Sequence, residues 1–387
     1  MTTPAPAHPL AGLRSPSPDF FHVDALLSDD ERNVRDRVRA FAEREVRPGA
    51  GDAWDRAEFQ AQCVAPLGAL GVVGGTVEGY GCPSLTSVAY GLATQEIARV
   101  DSSFATFFGV HSGLAMGTIA LCGTDGQKER WLPRMAACDL VGAFALTEPG
   151  HGSDAARMET GARRDGDAYV LNGAKRWIGN GTICGIAGFV VECPNPGFEA
   201  TLIEGKMSKR ASIQADIVLR DCRVPIGNRL RLGGFRTIAD ILSRTRHNVA
   251  WAAIGEAMAC YEVAHAYALK REQFGKPIAA HQLVQAKLVH MLGEITKAQL
   301  FALQLGRLKD RGEATPGMTA LAKSSNAAMA RSVAATAREI LGGNGILAEF
   351  DVMRHLCDIE SVYTYEGTDD INTLVVGREI TGLSAFM

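Results

Sequence analysis

The sequence predicts an α+β protein with several domains, on three observations. The chain has 387 residues, which is too long for one ordinary hydrophobic core. Apolar residues recur at helical spacing before about residue 140 and again after about residue 234. Between them lie short Val- and Ile-rich runs, many glycines and hairpin signals. We therefore expect an N-terminal arm (1–24), an N-terminal helical domain (25–139), a middle β-domain (140–233) and a C-terminal helical domain (234–387).

The N-terminal helical domain is predicted to begin at a capping box. Ser28 stands three residues before Glu31 at the start of a run with helical spacing, and Pro48 is expected to end that helix. Further helical patterns cover about 84–99, 102–121 and 124–136.

The middle domain carries turn signals and a glycine-rich loop. We expect turns at Asp165-Gly166 and Asn172-Gly173. In the loop "FALTEPGHGSD", backbone N–H groups and the hydroxyls of Thr147 and Ser153 suit an anion, although a mobile turn explains the same glycines. Trp177 follows on a strand, where it either packs against an aromatic cofactor or belongs to the core.

The C-terminal domain is predicted to contain five helices. One long helix should span "ILSRTRHNVAWAAIGEAMACYEVAHAYALKREQF", and a second should cover about 279–312. Thr315-Pro316 begins a third, which ends at the glycines of "LGGNG". Two shorter helices follow at about 350–361 and 369–382.

Composition narrows the class of partner. The formal net charge is -3 and no basic stripe occurs, so nucleic acid is not expected as a partner. No apolar run is expected to reach the roughly 20 residues that span a bilayer, so no membrane span is predicted. The nine cysteines are scattered without C-x-x-C, which favours reduced thiols in a cytoplasmic protein. The histidines form no metal-ligand pair, so no metal site is expected.

No Rossmann fingerprint is present, so a dinucleotide would have to be held in another way. The glycines of "LGGNG" follow a helix, whereas a dinucleotide fingerprint follows a strand. "KREQFG" offers Arg271 and Gln273 at a helix end. An arginine there either pairs with a phosphate or complements the helix dipole.

The stretch "TYEGTDDIN" contains a glutamate that the local pattern leaves unexplained. Thr368 suits an N-cap, and Asp369 and Asp370 suit the first turn of a helix. Glu366 lies before that cap, beside Gly367. It is either a carboxylate that projects into an apolar pocket and accepts a proton, or an ordinary solvated loop residue.

Taken together, five motifs resemble those of the acyl-CoA dehydrogenase family. They are "ALTEPGHGSD", "NGAKRWIGN", "KREQFGKPI", "ILGGNG" and "YTYEGTDDINTLVVGREITG". The resemblance covers about residues 25–387 and is strongest to the branch of glutaryl-CoA dehydrogenases and plant short-chain acyl-CoA oxidases. It implies the acyl-CoA dehydrogenase fold, in which a helical domain, a β-barrel-like domain and a C-terminal four-helix bundle follow one another.

The resemblance also implies a cofactor, an assembly and a set of contacts. It implies FAD between the β-domain and the bundle of a homo-oligomer, a tetramer or a dimer, with part of the cofactor reaching a neighbouring subunit. The implied cofactor contacts are Leu146, Thr147, Ser153, Trp177, Gly179, Arg271, Gln273, Phe274, Gly342, Gly343, Thr368 and Asp370. The implied substrate contacts are Phe104, Ala105, Phe108, Arg246, Tyr365 and Gly367.

By the same resemblance, Glu366 is the catalytic base that removes the α-proton of an acyl thioester. Some relatives place this glutamate just before the arginine of the long helix, where this chain has Thr245, which cannot act as a base. The implied reaction is FAD-dependent α,β-dehydrogenation of an acyl-CoA to a trans-2-enoyl thioester, with an electron-transfer flavoprotein or O2 as acceptor.

Three departures from the family pattern bear on the substrate or on the electron acceptor. Ala105 stands where glutaryl-CoA dehydrogenases carry the arginine for the distal carboxylate, so a short, uncharged acyl group is expected. Gly179 stands where dehydrogenases usually have threonine, which keeps an oxidase as an alternative. About a dozen residues are missing between "WIGNG" and "GFVVECPNPGF", which keeps a carrier-protein-bound substrate open. A non-catalytic flavoprotein scaffold is the remaining alternative.

Overall fold

The computed structural model describes residues 8–15, 19–181, 185–186 and 189–386. The chain runs through a helical part, a β part and a second helical part, as predicted. The predicted deletion between "WIGNG" and "GFVVECPNPGF" falls at 182–188, whose side chains lie outside the described residues.

The first part is built of helices around one hydrophobic core. These are α1 (Asp29–Phe41), α2 (Arg47–Arg56), α3 (Val64–Ala69), α4 (Ser87–Val100), α5 (Ser102–Phe108), α6 (Gly117–Cys122) and α7 (Asp125–Ala136). The capping box of α1 is confirmed, since the Ser28 hydroxyl accepts from the Glu31 N–H and the Glu31 carboxylate accepts from the Ser28 N–H.

The prediction that Pro48 ends the first helix was wrong. A π turn, Ala42–Val46, joins α1 directly to α2, and Pro48 lies in the first turn of α2. The run 29–56 is therefore continuous, and the π turn changes the hydrogen-bond register just before the proline, which has no N–H to donate. Proline does disturb the regular helix here, but the helix accommodates it by widening to a π turn instead of ending.

A second correction concerns the apolar run. Helix α5 continues through a π segment, Gly109–Met116, into α6, and Ser102–Cys122 is a run of 21 residues with mean hydropathy 1.4. By length and composition this run could cross a membrane, so the statement that no run approaches that length was wrong. Such a helix is weak grounds for a span, because 61% of its window is buried inside this protein.

The middle part is a four-stranded antiparallel sheet with a small satellite. Its strands are β1 (Gly161–Asp165), β2 (Ala168–Gly179), β3 (Gly185–Ile186), β4 (Val190–Val191), β5 (Phe198–Leu202) and β6 (Gln214–Pro225). The sheet order is β1-β2-β6-β5, and β3 pairs with β4. The turn at Asp165-Gly166 is confirmed, because Asp165 pairs with Ala168. Asn172-Gly173 is not a turn: it lies within β2 at a bulge, where Gly173 has φ +152°.

The last part is a bundle around one long central helix. Its elements are α8 (Phe235–Lys270), the hairpin β7 (Glu272–Gln273) and β8 (Lys276–Pro277), α9 (Gln282–Asp310), α10 (Pro316–Leu341), α11 (Val352–Thr364) and α12 (Asp369–Thr381). Helix α8 packs against α10, α9 and α4. It ends at Lys270, so the prediction that the long helix includes Arg271 to Phe274 was wrong: these residues follow the helix and form the hairpin. Thr315 caps α10 and Pro316 occupies its first turn, as predicted.

Close contact between α4 and α8 fixes the helix that carries the site. A Cβ added at Gly255 would lie 2.1 Å from the Gln95 carbonyl oxygen, and one at Gly91 would lie 2.3 Å from the Trp251 indole nitrogen. Only glycine permits these approaches, so the two helices are held at a fixed distance.

Candidate active site

Glu366 lies in the four-residue link, 365–368, between α11 and α12. Tyr365 is extended, and Glu366 and Gly367 both have positive φ, +53° and +92°. Thr368 then caps α12, since its hydroxyl accepts from the Ile371 N–H at 3.2 Å. A left-handed conformation costs a non-glycine residue about 1–2 kcal/mol, so the surrounding contacts must hold Glu366 there.

Helix α8 supplies the contacts that hold this turn. The Thr245 hydroxyl donates to Glu366 Oε2 at 2.6 Å, and Arg246 Nε donates to the Glu366 carbonyl oxygen at 2.8 Å. Gly367 is required on two counts, its φ and the 3.3 Å that would separate an added Cβ from the Arg246 guanidinium. The structure therefore brings Thr245, Arg246, Glu366 and Gly367 into one site.

Two residues that the sequence analysis did not select also hold the turn. Lys323 Nζ donates to the Gly367 carbonyl oxygen at 2.9 Å, and the Asn372 amide donates to the same oxygen at 2.8 Å. Lys323 is 0% exposed. The available signal was its position on α10 at helical spacing with Ala320, Ala327 and Ala330, which places a lysine on the core face.

The electrostatics of the site favour a proton acceptor. Burial raises the pKa of the Glu366 carboxyl above its usual range, while the Thr245 hydrogen bond and the charges of Arg246 and Lys323 limit that rise. Burial also lowers the pKa of Lys323 to about 8 against the attraction of Glu366. A carboxylate with a raised pKa beside a protected space suits general-base chemistry.

The helix that begins with α5 presents an accessible face near Thr245, the partner of Glu366. Most of Ser102–Cys122 is buried, but Thr106, Gly109, Val110 and Gly113 stay partly exposed, three or four residues apart, and so share one face. A Cβ added at Gly113 would lie 3.5 Å from both Thr245 Cγ2 and the Tyr90 hydroxyl. This accessible face, which we call the acyl groove, therefore adjoins the base.

The phenylalanines predicted for this region lie behind the groove. Phe104 packs in the N-terminal core, with its ring 6.0 Å from that of Phe59 and 5.7 Å from that of Phe107. Phe108 lies edge-on to Tyr90 at 5.4 Å. Ala105 is buried in the same core. Phe104, Ala105 and Phe108 are buried and do not belong to the accessible face. Their predicted contact with the substrate stays a prediction.

The β-domain presents a second set of predicted residues opposite the acyl groove. The Arg176 N–H donates to the Thr147 carbonyl oxygen at 2.8 Å, which places the glycine-rich loop beside Trp177. Trp177 has φ +63° and is 52% exposed, so it is not a core tryptophan in this chain. A Cβ added at Gly179 would lie 2.8 Å from Val110 Cγ2, which joins this edge of β2 to the groove.

A buried ion pair anchors the loop that carries Leu146 and Thr147. Lys175 Nζ donates to the Leu146 carbonyl oxygen at 3.1 Å and to Glu148 Oε1 at 2.9 Å. Glu148 also accepts the N–H groups of Glu159 and Thr160, at 2.6 and 2.9 Å. Burial would raise the pKa of Glu148, but these hydrogen bonds lower it to about 2. Ser153, at the far end of the loop, is exposed.

The remaining predicted residues lie at the other end of the bundle. Arg271 follows α8 by one residue, about 37 Å along the axis from Arg246 at 1.5 Å per residue. Gln273 and Phe274 follow in the hairpin, where Phe274 is 94% exposed. Asn344 donates to the Tyr267 hydroxyl at 2.9 Å, which places Gly342 and Gly343 at this same end. One chain therefore holds two separate groups of predicted cofactor residues.

The first group fits a flat aromatic cofactor. A large indole stands exposed at a strand edge, beside a loop in which a Cβ added at Gly150 or Gly152 would meet nothing within 4 Å. Exposed aromatic surface and open backbone of this kind suit a planar ring with an anionic tail.

A buried carboxylate in the helical bundle and an exposed indole on the β-domain are the features of a flavoprotein-type oxidoreductase. Family models agree. The acyl-CoA dehydrogenase N-terminal, middle and C-terminal domain models match residues 28–139, 143–199 and 233–381. The chain belongs to the acyl-CoA dehydrogenase family.

Individual relatives cover nearly the whole chain. The mitochondrial short-chain specific acyl-CoA dehydrogenase of Bos taurus is 34% identical over 92% of this chain and 90% of its own. The glutaryl-CoA dehydrogenase structure from Mycobacterium smegmatis has a TM-score of 0.94 at 41% identity, covering 97% of this chain and 100% of that one. A second glutaryl-CoA dehydrogenase structure from that organism, in complex with FADH2, has a TM-score of 0.93 at 38% identity, over 96% of this chain and 100% of its own.

Proposed function

We propose that this protein catalyses FAD-dependent α,β-dehydrogenation of a short, uncharged acyl thioester to a trans-2-enoyl thioester. The observation that carries the proposal is the Glu366 carboxylate, held by Thr245 at 2.6 Å with a raised pKa, at the end of the acyl groove. Membership of the family supports the reaction class.

Glu366 acts in this proposal as the base. Its carboxylate takes the proton from Cα of the acyl group, and its own backbone N–H donates to the thioester oxygen, which makes that proton more acidic. Arg246 and Lys323 hold the turn through the carbonyl oxygens of Glu366 and Gly367, so the carboxylate keeps its position as it gains the proton.

The cofactor proposed here is FAD, which when bound accepts the hydride from Cβ. Leu146, Thr147, Ser153, Trp177 and Gly179 would hold it on the β-domain side, with Thr368 and Asp370 near the base. Arg271, Gln273, Phe274, Gly342 and Gly343 lie too far away to serve the same site. They would therefore contact the FAD of a second copy of this chain, which accounts for the exposed Phe274 and supports a homo-oligomer. The FADH2 complex of a relative supports the cofactor.

An acyl-CoA oxidase is the second candidate, and Gly179 is the observation that favours it. No hydroxyl is available there, and Val110 occupies the space that a larger residue would need. In the dehydrogenase an electron-transfer flavoprotein would receive the electrons, whereas the oxidase would use O2. A thioester on a carrier protein in place of CoA is a variant of either proposal.

The test is anaerobic reduction of the FAD-loaded protein. Short acyl-CoAs should bleach the flavin absorbance, and Glu366→Gln should abolish bleaching while FAD stays bound. Glu360→Gln, an exposed glutamate on α11 paired with Arg331, is the matched control and should bleach normally. Full activity of Glu366→Gln would remove the base assignment. Peroxide release in air separates the oxidase from the dehydrogenase.

A further inference from the structure

A lysine from the β-domain is buried near Tyr365, the chain neighbour of the base. Lys209 lies in the loop between β5 and β6 and is 3% exposed. Its Nζ donates to the Ser102 carbonyl oxygen at 3.1 Å and to the Ser102 hydroxyl. Glu256 Oε1, on α8, lies 3.6 Å from the same Nζ. Burying a lysine in this way is costly, so its place calls for a physical reason.

The carboxylate of this pair is only half satisfied. Glu256 Oε1 accepts from the Ser102 hydroxyl, but Oε2 has no hydrogen-bond partner among the described residues. Glu256 is 1% exposed. The neighbouring Ser103 hydroxyl, also 1% exposed, likewise lacks a partner in the described part of the chain. Buried acceptors are rarely left without a donor, so this oxygen is available for a donor that the described residues do not supply.

The pair adjoins the Thr106 end of the acyl groove, one helical turn away through Ser102. Lys209 Nζ is 5.6 Å from the ring centre of Tyr365, whose neighbour in the chain is Glu366. Thr245 and Glu256 are eleven residues apart on α8, which is close to three full turns, so they share one face. On the opposite wall, Thr106 of the groove donates to the Ser102 carbonyl oxygen at 3.0 Å.

The charges at this end favour a neutral ligand group. Lys209 already faces two buried carboxyl groups, Glu256 and Asp358, and burial raises the pKa of Glu256 to about 7, so a further carboxylate would meet strong resistance. A hydroxyl both donates and accepts, so it could donate to Glu256 Oε2 and accept from Lys209.

We propose that Lys209, Ser102 and Glu256 form a hydroxyl-binding site at the end of the acyl groove. The acyl thioester taken by this protein then carries an uncharged hydroxyl at the far end of its acyl chain. This inference rests on the proposed function and specifies its substrate class.

The first experiment compares matched substrates on the FAD-loaded wild-type protein. Straight-chain acyl-CoAs of four to eight carbons are paired with their ω-hydroxy counterparts and with dicarboxylic counterparts, including glutaryl-CoA. For at least one chain length, kcat/KM should be roughly ten- to a hundredfold higher for the ω-hydroxyacyl-CoA than for the acyl-CoA that ends in a methyl group. The methyl group leaves Glu256 Oε2 without a donor. No such preference, or a preference for the carboxylate, overturns the inference.

The second experiment removes both charges together. Lys209→Met with Glu256→Leu removes both partners of the pair. Asp358, a buried carboxyl that also lies near Lys209, keeps its hydrogen bonds from Trp54 Nε1 and from the backbone N–H of residue 209, so the variant should fold, which its circular dichroism and melting temperature verify. Its preference should invert toward the methyl end. The matched control is Arg220→Gln with Glu199→Gln, an exposed pair on β6 and β5, and it should keep the wild-type preference. A double variant that folds and keeps that preference contradicts the site.

A binding measurement separates recognition from turnover. In Glu366→Gln, calorimetry with the same CoA thioesters should give a Kd roughly tenfold lower for the hydroxyl end, and equal values would overturn the inference. If no thioester bleaches the wild-type flavin, the proposed function fails and this inference fails with it. If both ends bleach it equally, only this inference fails.

Discussion

The hydroxyl of Thr245 donates a 2.6 Å hydrogen bond to Oε2 of Glu366 across 121 positions of the chain. The sequence indicated only that Thr245 stands where some relatives carry the base and that it cannot act as one. In the structure it directs the base and limits the rise of its pKa. Thr245 is therefore a positioning residue that acts through Glu366.

Replacing Thr245 with valine should shift the pH dependence of flavin bleaching to higher pH. The hydrogen bond favours the carboxylate over the acid, so its loss raises the pKa of Glu366 further and a higher pH is needed to form the base. A hydrogen bond to a charged acceptor is worth about 1.5–3 kcal/mol, so the rate at pH 6 should fall roughly tenfold or more. Stopped-flow bleaching across pH measures this shift, and Thr245→Ser should restore the wild-type profile. An unchanged profile for the valine variant would show that the bond does not tune Glu366.

Replacing Glu256 with glutamine should make stability depend less on pH. The pKa of Glu256 is raised from 4.5 to about 7 by burial, so the folded protein keeps a proton that the unfolded chain releases. Wild-type stability is therefore lost as pH rises from about 4.5 through 7, by roughly 3 kcal/mol. Glutamine does not titrate, so melting temperatures of the two proteins should diverge in favour of the variant as pH rises from 5 to 8. Parallel melting curves across that range would contradict a buried Glu256.

Replacing Lys175 with methionine should loosen the loop that carries Leu146 and Thr147. The change leaves the Glu148 carboxylate buried without its partner, which typically costs about 3–5 kcal/mol. FAD retained after gel filtration and the melting temperature should both fall. Arg220→Gln, on the neighbouring strand β6, breaks only an exposed pair with Glu199 and should change stability by less than about 1 kcal/mol. Equal effects of the two variants would count against an anchoring role for Lys175.

Introducing threonine at Gly179 should fail unless Val110 is reduced in size. An added Cβ would lie 2.8 Å from Val110 Cγ2, and overpacking of this kind costs about 1–3 kcal/mol. Gly179→Thr alone should lower the melting temperature and FAD retention, whereas Gly179→Thr with Val110→Ala should recover both. Peroxide release in air should be lower in the double variant than in wild type if the missing hydroxyl favours oxidase chemistry. A single variant as stable as wild type would show that the contact is not limiting.

Local signals in the sequence determined the caps and most helices. The capping box of Ser28 and Glu31, the Thr315-Pro316 start and the Thr368 cap were all predicted, because each depends on groups within three residues of one another. Pro48 and Asn172-Gly173 were misread for the complementary reason. The chain continues its helix through a π turn at the first site and its strand through a bulge at the second. Packing of the surrounding elements decides whether such a π turn or bulge forms.

The sequence by itself determined the family, the order of the helical and β parts, and the glutamate that stands outside the cap of the last helix. Only the tertiary structure decided what surrounds that glutamate. Lys323 from α10 holds its turn, and Lys209 meets Glu256 47 positions away. The reason is physical: the pKa and partners of a buried group depend on every element packed around it. A sequence pattern reports only the neighbours that the chain itself brings close.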